Sequence, residues 1–326
     1  MDPVRRIADA VLYEGYVLWP YRRSALKNQQ RWTFGGIYPE AHSARRGGVD
    51  DPSRMQAQCL LEGDRDTRLD VRVRFLHVVR RQVMRGSEPV DELEVGDERH
   101  LTWEEAVERE LAVGERALGA LPAHLDVGVP DGREREDLGG ENAIVRSWRE
   151  LAGAVDVATA ELEPGLHRIT LRVWNASPFA GTTREAALEQ TFCSTHAVLR
   201  ATGGAFVSLT DPPAERADAA RACQNAGVWP VLVGAEGDRG TVLASPMILP
   251  DYPEIAPESP GDLFDGGEID QMLVLNILSM TEAERRDMRD CDPRTREILE
   301  RTEGLSDEEL MRLHGTIREF GMARGR

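Results

Sequence analysis

The chain has 326 residues, of which 41% are hydrophobic and 30% are charged, and its net charge is −17. This composition is typical of a globular protein, and the length predicts two domains or one domain with a long appendage. The negative charge argues against general affinity for nucleic acid. Because no apolar run is long enough to span a bilayer and the N-terminus lacks a signal-peptide pattern, we expect a cytoplasmic protein.

The N-terminal quarter predicts one helix and several short strands. Residues 3–13 place apolar side chains on one face at helical spacing, which predicts a helix. Val17–Trp19 and Trp32–Phe34 are short β-prone runs around a polar connector. Residues 40–54 have the composition of a loop, and Met55–Leu61 predicts a further strand.

The next segment gives the clearest β signal in the chain. Residues 68–84 alternate apolar and polar side chains, as expected for a strand with one buried face. Residues 102–118 place apolar side chains at helical spacing, and Thr102 followed by Glu105 fits a capping box, so a helix is predicted there. Residues 119–142, rich in Gly, Pro and acids, are expected to form an exposed loop.

A long hairpin and a crossover unit are predicted in the second half. Ala143–Glu163 and Leu166–Trp174 are β-prone runs joined by a Glu-Pro-Gly turn, which favours antiparallel pairing. The pattern of residues 205–233 indicates a strand, a helix and a second strand, and this order predicts a right-handed crossover between parallel strands. Residues 241–249 add one more strand.

The C-terminal part changes composition. Residues 251–267 form an acidic, Pro-rich linker, and residues 268–326 predict a helical tail. Residues 1–250 would form a mixed, β-rich body with a sub-boundary near 180–204. The fold class expected is therefore α+β: a long-stranded antiparallel sheet, a small strand–helix–strand portion and a C-terminal helical tail.

The stretch from Tyr13 to Tyr38 combines aromatic and basic side chains. It holds seven of the 18 aromatic residues and Lys27, the only lysine. Aromatics mixed with arginine are typical of protein-contact hot spots, and core packing explains the aromatics equally well. The residues predicted to contact a partner or an anion are Tyr16, Trp19, Tyr21, Arg22, Arg23, Lys27, Arg31 and Trp32.

Acidic residues after the linker offer this stretch an internal partner. The carboxylates that would clamp its basic tip across the fold are Asp262, Asp265, Glu268 and Asp270. They also lie where a helix is predicted to begin, and the helix dipole favours acids there. Both interpretations stay open from the sequence.

Motifs for known catalytic or metal chemistry are sparse. There is no P-loop, no dinucleotide fingerprint and no nucleophile elbow. Cys193 and His196 have the Cys-x-x-His spacing of one half of a metal site, and Cys223 could supply a further ligand. Buried thiols and a hydrogen-bonded histidine explain these residues as well. His77 is predicted to lie in the core, whereas His42 lies in a predicted loop where it could meet a ligand. We expect no cofactor and no bound metal.

Four segments together resemble a bacterial family. They are LYEGYVLWPYRRSALKNQQRWTFGG at 12–36, MQAQCLLEG at 55–63, RVRFLHVVRRQV at 72–83 and ASPMILPDYPEIAPESPGDLFDGGEIDQML at 244–273. The chain resembles, over about residues 10–320, an uncharacterised family encoded beside uptake nickel–iron hydrogenase genes in actinobacteria and other high-GC bacteria. The resemblance implies an accessory or maturation role, and it carries no catalytic residues with it.

Three functions follow from these observations. The first is a non-catalytic accessory protein that binds a partner, either a hydrogenase subunit or a maturation factor, during metalloenzyme assembly. The second is an enzyme acting on an anionic small molecule held by Lys27 with Arg22 or Arg23, using carboxylates or His42. The third is a metal-delivery protein using Cys193, His196 and Cys223. The sequence leaves the oligomeric state open.

Overall fold

A computed structural model describes residues 3–13, 35–48, 50–96, 98–254 and 281–291, together with positions 296, 299–300 and 303–304. Most of this part of the chain is antiparallel β-sheet with a few short helices. Within these residues, none of the helices has the length and apolar character needed to cross a lipid bilayer.

Five α-helices and sixteen strands have bounds within the described residues. The helices are α1 (Pro3–Tyr13), α2 (Glu40–Arg45), α3 (Arg184–Leu188), α4 (Ala217–Arg221) and α5 (Glu282–Cys291). The strands are β1 (Arg54–Glu62), β2 (Arg68–Arg85), β3 (Glu88–Val90), β4 (Glu92–Val95), β5 (Glu98–Leu101), β6 (Trp103–Ala112), β7 (Arg116–Ala117), β8 (Ala123–Val129), β9 (Gly132–Gly139), β10 (Asn142–Trp148), β11 (Leu151–Glu163), β12 (Leu166–Asn175), β13 (Cys193–Thr202), β14 (Ala205–Val207), β15 (Trp229–Leu232) and β16 (Thr241–Ser245).

Two of the sheets pack face to face as a sandwich. The small sheet has the order β14-β1-β12-β11-β8, and the large sheet has the order β15-β16-β13-β2-β10-β9. Strands β7, β6 and β3 pair along the opposite edge of β2. The core between the sheets joins β1, β2 and β12 through residues such as Leu61, Val71 and Leu171, and Phe75 stacks on Phe192 with ring centroids 4.6 Å apart.

Strand β2 is the central strand of the large sheet, as its alternation predicted. It spans 18 residues, longer than most strands in globular proteins. Its odd-numbered side chains, such as Val71 and Val73, face the sandwich core. Its even-numbered side chains face outward, where Leu76 and Val78 pack in the same cluster as Leu12 of α1. The single buried face that we predicted is therefore an underestimate, because helix α1 covers part of the second face.

The predicted helix at residues 3–13 is confirmed and lies on the outer face of the large sheet. Val4, Ile7, Ala8 and Val11 recur at helical spacing and pack in one cluster with β13, β15 and β16. Burying this stripe fixes the helix across the strands and leaves its polar side chains beside β2 and β6.

The second half of β2 extends beyond the sandwich and organises a smaller cluster. Val83 packs with Ile144 of β10 and with Leu93 of β4, while β4 and β5 form a separate two-stranded sheet. The end of α5 reaches this part, since Arg99 of β5 lies 4.0 Å from Asp290. The helix predicted at Glu282–Asp290 is confirmed; the linker and most of the predicted tail lie outside the described residues, so both stay predictions.

The helix predicted at 102–118 is wrong. This segment forms β6 and β7, which pair with β2 in antiparallel register. Thr102 is not a helix cap: its hydroxyl accepts from the Val83 amide at 2.9 Å and donates to the Val90 carbonyl at 2.6 Å. The acids of β6 pair with arginines on neighbouring strands, so tertiary contacts override the helix propensity of this glutamate-rich segment.

Three other predictions are corrected. The loop predicted at 119–142 contains strands β8 and β9, and the loop predicted at 40–54 contains helix α2. The parallel crossover at 205–233 does not form, because β14 belongs to the small sheet and β15 to the large one, and each pairs antiparallel. The segment between these two strands therefore leads from one sheet of the sandwich to the other. The hairpin at Glu163-Pro164-Gly165 is confirmed, with Gly165 at φ +79°.

Candidate functional site

The aromatic–basic residues predicted to bind a partner lie outside the described residues. These residues are Tyr16, Trp19, Tyr21, Arg22, Arg23, Lys27, Arg31 and Trp32, and the same holds for the predicted clamp of Asp262, Asp265, Glu268 and Asp270. Only the two ends of the stretch are described. Tyr13 closes α1 and donates a hydrogen bond to Glu108 at 2.7 Å, and Tyr38 is buried under α3. The roles of the eight aromatic and basic residues and of the four acids therefore stay predictions.

The structure separates the cysteines of the suggested metal site. Cys193 is buried in the cluster that joins α1 to α3, whereas Cys223 packs with β1 and β14. Burial raises the pKa of the Cys223 thiol, which disfavours the thiolate that a metal requires. Among the described residues no three His, Cys, Asp or Glu side chains are grouped to hold a metal ion.

A network of ion pairs joins α1 to the outer face of the large sheet. Arg74 of β2, whose side chain is only 3% exposed, donates to Asp9 of α1 at 2.7 Å and to Glu108 of β6 at 3.1 Å. Arg5 of α1 donates to Glu110 at 2.9 Å. These residues come together because Arg74 lies opposite Glu110 in the register of β2 and β6, with α1 above both.

A cavity of about 230 Å³ opens beside this network, and we name it the arginine pocket. It is lined by Val4, Arg5, Ala8, Asp70, Arg72, Arg74, Glu110, Val198 and Arg200. Four of these residues are arginines and two are carboxylates, and two further carboxylates, Asp9 and Glu108, pair with Arg5 and Arg74 beside the cavity. Arg72 and Arg200 are exposed, and Arg74 lies at the buried end. This distribution of charge suits an anionic group entering from solvent.

Two buried nitrogen atoms lack partners close to this pocket. Nη1 of Arg74 and Nε2 of His196 have no hydrogen-bond partner among the described residues. The two residues lie directly opposite each other on β2 and β13. Nδ1 of His196 is 3.0 Å from the Ser194 carbonyl and must donate to it, so Nε2 carries a lone pair. Unsatisfied buried polar atoms are costly, so an acceptor that reached Nη1 of Arg74 or a donor that reached Nε2 of His196 would be stabilising.

Two groups of the arginine pocket, Glu110 and Arg72, and the neighbouring His196 have pKa values shifted away from neutral pH. Burial acts to raise the pKa of Glu110, but hydrogen bonds from Arg72 and Arg5 outweigh it and hold that pKa below its usual range. Hydrogen bonds to Asp70 and Glu110 raise the pKa of Arg72. Burial lowers the pKa of His196 to about 3, so this imidazole is neutral. Near pH 7 Glu110 is therefore negative, Arg72 positive and His196 neutral.

A second polar cluster surrounds His42, which lies in α2 and not in the loop that we predicted. Nε2 of His42 donates to Asp51 at 2.9 Å, Arg184 of α3 donates to the same carboxylate at 3.3 Å, and Arg184 also bonds the Tyr38 hydroxyl. Burial acts to raise the pKa of Asp51, but the hydrogen bond from His42 and the charge of Arg184 lower it overall. Burial also raises the pKa of Tyr38. With His42 and Asp51 each 3% exposed, the cluster ties α2 to α3.

Sequence reasoning missed the arginine pocket. Its arginines come from α1, β2 and β13, and they are separated by up to 195 positions, from Arg5 to Arg200. The one available signal was the run Asp70, Arg72 and Arg74, whose alternation places three charges on the same face of a strand. On a solvated face that pattern is ordinary, and only the position of α1 turns it into a pocket.

No protein-family model matches the chain, and no curated protein matches it.

Proposed function

We propose that this protein is a non-catalytic accessory protein that binds a partner subunit, and that the arginine pocket receives an anionic group of that partner. The observation that carries the proposal is the lining of the pocket. Four arginines on three elements converge on one cavity, and two of them, Arg72 and Arg200, are exposed to solvent there. Arginine is the side chain best suited to hold carboxylate or phosphate through paired hydrogen bonds.

The fixed charge of the pocket supports binding over catalysis. Proton transfer at neutral pH needs a group whose pKa lies near 7. The carboxylate and the imidazole nearest to the arginines have pKa values below their usual ranges, and arginine does not deprotonate in proteins. A pocket with these groups can orient and neutralise an anion, which is the task of a binding site.

The partner that we propose is a subunit or a maturation factor of a nickel–iron hydrogenase. The support for this choice is the resemblance carried by residues 12–36, 55–63, 72–83 and 244–273. One of these segments contributes directly to the site, since residues 72–83 include Arg72 and Arg74, which line the pocket.

Affinity purification tests this function. The tagged protein is expressed at native level in a cell that makes the hydrogenase, and the bound proteins are identified by mass spectrometry. We expect a hydrogenase subunit or maturation factor to co-purify with the wild-type chain and to be lost with Arg72→Glu, which reverses one charge of the pocket. The matched control Arg221→Glu changes an exposed arginine of α4, so it should retain the partner. Recovery of no hydrogenase protein by the wild-type chain would overturn the proposal.

A further inference from the structure

The arginine pocket has an apolar side as well as a charged one. Val4 and Ala8 come from α1 and Val198 from β13, and all three belong to the cluster that holds the helix on the sheet. Arg72 and Arg200 lie on the strands beside them, exposed to solvent. A ligand in this cavity therefore meets a hydrocarbon surface and guanidinium groups at once.

We propose that the ligand class of this pocket is a monovalent carboxylate on a short apolar stem. The inference rests on the proposed function, in which the pocket receives an anionic group, and it names the chemistry of that group. The carboxylate would lie against Arg72 and Arg200, and the stem against Val4, Ala8 and Val198. A planar carboxylate accepts two parallel hydrogen bonds from a guanidinium.

The two acids in the lining select against a more highly charged ligand. Asp70 and Glu110 line the same cavity as the arginines, and each already accepts a hydrogen bond from Arg72, at 3.0 Å and 2.8 Å respectively. Asp9 and Glu108 pair with Arg5 and Arg74 beside the cavity, so four carboxylates balance the four arginines, and a second negative charge on the ligand gains no net attraction. A phosphate dianion also lacks the stem that would use the apolar side.

The size of the pocket limits the stem to a few carbon atoms. Its volume of about 230 Å³ is below the range of roughly 300–1,000 Å³ that holds drug-sized ligands. A short-chain organic acid fits this limit, and so does a single acidic side chain or the terminal residue of a protein. Both sources present the same chemistry. The buried Nη1 of Arg74, which has no partner in the described part of the chain, adds a donor at the closed end of the pocket.

Isothermal titration of the full chain with acetate, butyrate and hexanoate, and separately with inorganic phosphate, tests the ligand class. Burial of a methylene group strengthens binding by about 0.8 kcal/mol, a factor of roughly four. Butyrate has two more methylene groups than acetate, so we expect it to bind about 15-fold more tightly, and we expect phosphate to bind more weakly than butyrate. Affinity that is independent of chain length, or higher for phosphate, would overturn the proposal.

Substitutions of the lining arginines test whether butyrate binds in the arginine pocket. Arg72→Gln and Arg200→Gln each remove one charge at exposed positions and should weaken butyrate binding at least about tenfold, whereas Arg221→Gln should leave it unchanged. Near-ultraviolet circular dichroism checks that each variant keeps the wild-type fold. Equal butyrate affinity in all three variants would overturn the assignment to this pocket.

A further titration distinguishes a free organic acid from a carboxylate of a protein. An amide-blocked glutamate peptide and a peptide with a free C-terminus are titrated beside butyrate. Tighter binding of either peptide identifies a protein carboxylate, and tighter binding of butyrate identifies a free acid; both outcomes keep the ligand class. If a carboxylate binds while no hydrogenase protein co-purifies, the partner is wrong and the ligand class stands. If the partner co-purifies through Arg72 but no carboxylate binds, the ligand class is wrong.

Discussion

Lowering the pH from 6.5 to 4.5 should destabilise this protein by about 4 kcal/mol because of two buried histidines. Burial, reinforced by the charge of Arg109, lowers the pKa of His77 to about 4. Burial lowers the pKa of His196 to about 3, with the hydrogen bond to Ser194 opposing the shift and the charge of Arg74 adding to it. In the unfolded chain both histidines have a pKa of about 6.5.

The sign and size follow from proton linkage. Between pH 6.5 and 4.5 the unfolded chain binds a proton at each histidine and the folded chain binds almost none, so the free energy of unfolding falls as the pH falls. The limiting slope is about 1.4 kcal/mol per pH unit for each group. Two groups over this window sum to roughly 4 kcal/mol. Exposed His124, whose pKa is raised by hydrogen bonds to Asp156 and Asp126, acts in the opposite sense.

Urea unfolding at a series of pH values measures this slope. His77→Gln and His196→Gln should each reduce the slope by about half, whatever their effect on stability at pH 7, and His124→Gln should steepen it. The slope is the informative quantity because a glutamine in a buried site changes the absolute stability for other reasons. A free energy of unfolding that stays constant within about 1 kcal/mol from pH 6.5 to 4.5 would refute the reasoning.

Three further predictions concern single residues. Arg74→Met should lower the free energy of unfolding in urea by about 2 kcal/mol, less than the ~3–5 kcal/mol of a fully buried pair because Asp9 and Glu108 are partly exposed. Neutralising both acids in the same chain should restore most of this loss. An unchanged free energy of unfolding in Arg74→Met alone would contradict the role of the ion pairs. Asp51→Asn should lower the free energy of unfolding at pH 7. The difference in free energy of unfolding from wild type, followed in an acid titration, should shrink below about pH 4, because the lowered pKa of Asp51 in the folded chain contributes stability that is lost as the carboxylate becomes protonated. A difference independent of pH would exclude this cause. Gly165→Ala should cost about 1 kcal/mol in thermal unfolding because φ is +79°, and Gly165→Asn should cost less; equal costs would point to another origin.

Local patterns predicted those parts of the fold in which neighbouring residues decide the structure. The alternation in β2 reflects burial of its odd-numbered side chains between the sheets, and the apolar stripe of α1 reflects burial of one helix face, so both elements were predictable. The hairpin at Gly165 was predictable because its turn requires a positive φ that glycine adopts readily. In these cases the propensity of the segment and its tertiary surroundings agree.

Predictions failed where distant contacts decide the structure. The glutamates of β6 favour a helix locally, but in the fold Glu110 pairs with Arg72 and Glu105 pairs with Arg146, on strands far away in sequence. Residues 132–139 carry charges on both faces because β9 is an exposed edge strand, and such a strand has no apolar alternation to detect. The same limit applies to the arginine pocket, whose residues become neighbours only through strand register.

The length of β2 has a consequence for how the chain reaches its fold. This strand pairs with β3 and β6, which follow it closely in sequence, and β10 pairs with residues 80–85 of its other edge. Residues 68–76 of that edge wait for β13, which begins more than 100 residues after β2 ends. During synthesis on the ribosome the first half of this edge therefore stays open until most of the chain has emerged. A high contact order of this kind slows folding and exposes the nascent chain to aggregation. We expect a nascent chain that ends between β12 and β13 to bind a chaperone, and release to follow once β13 is made.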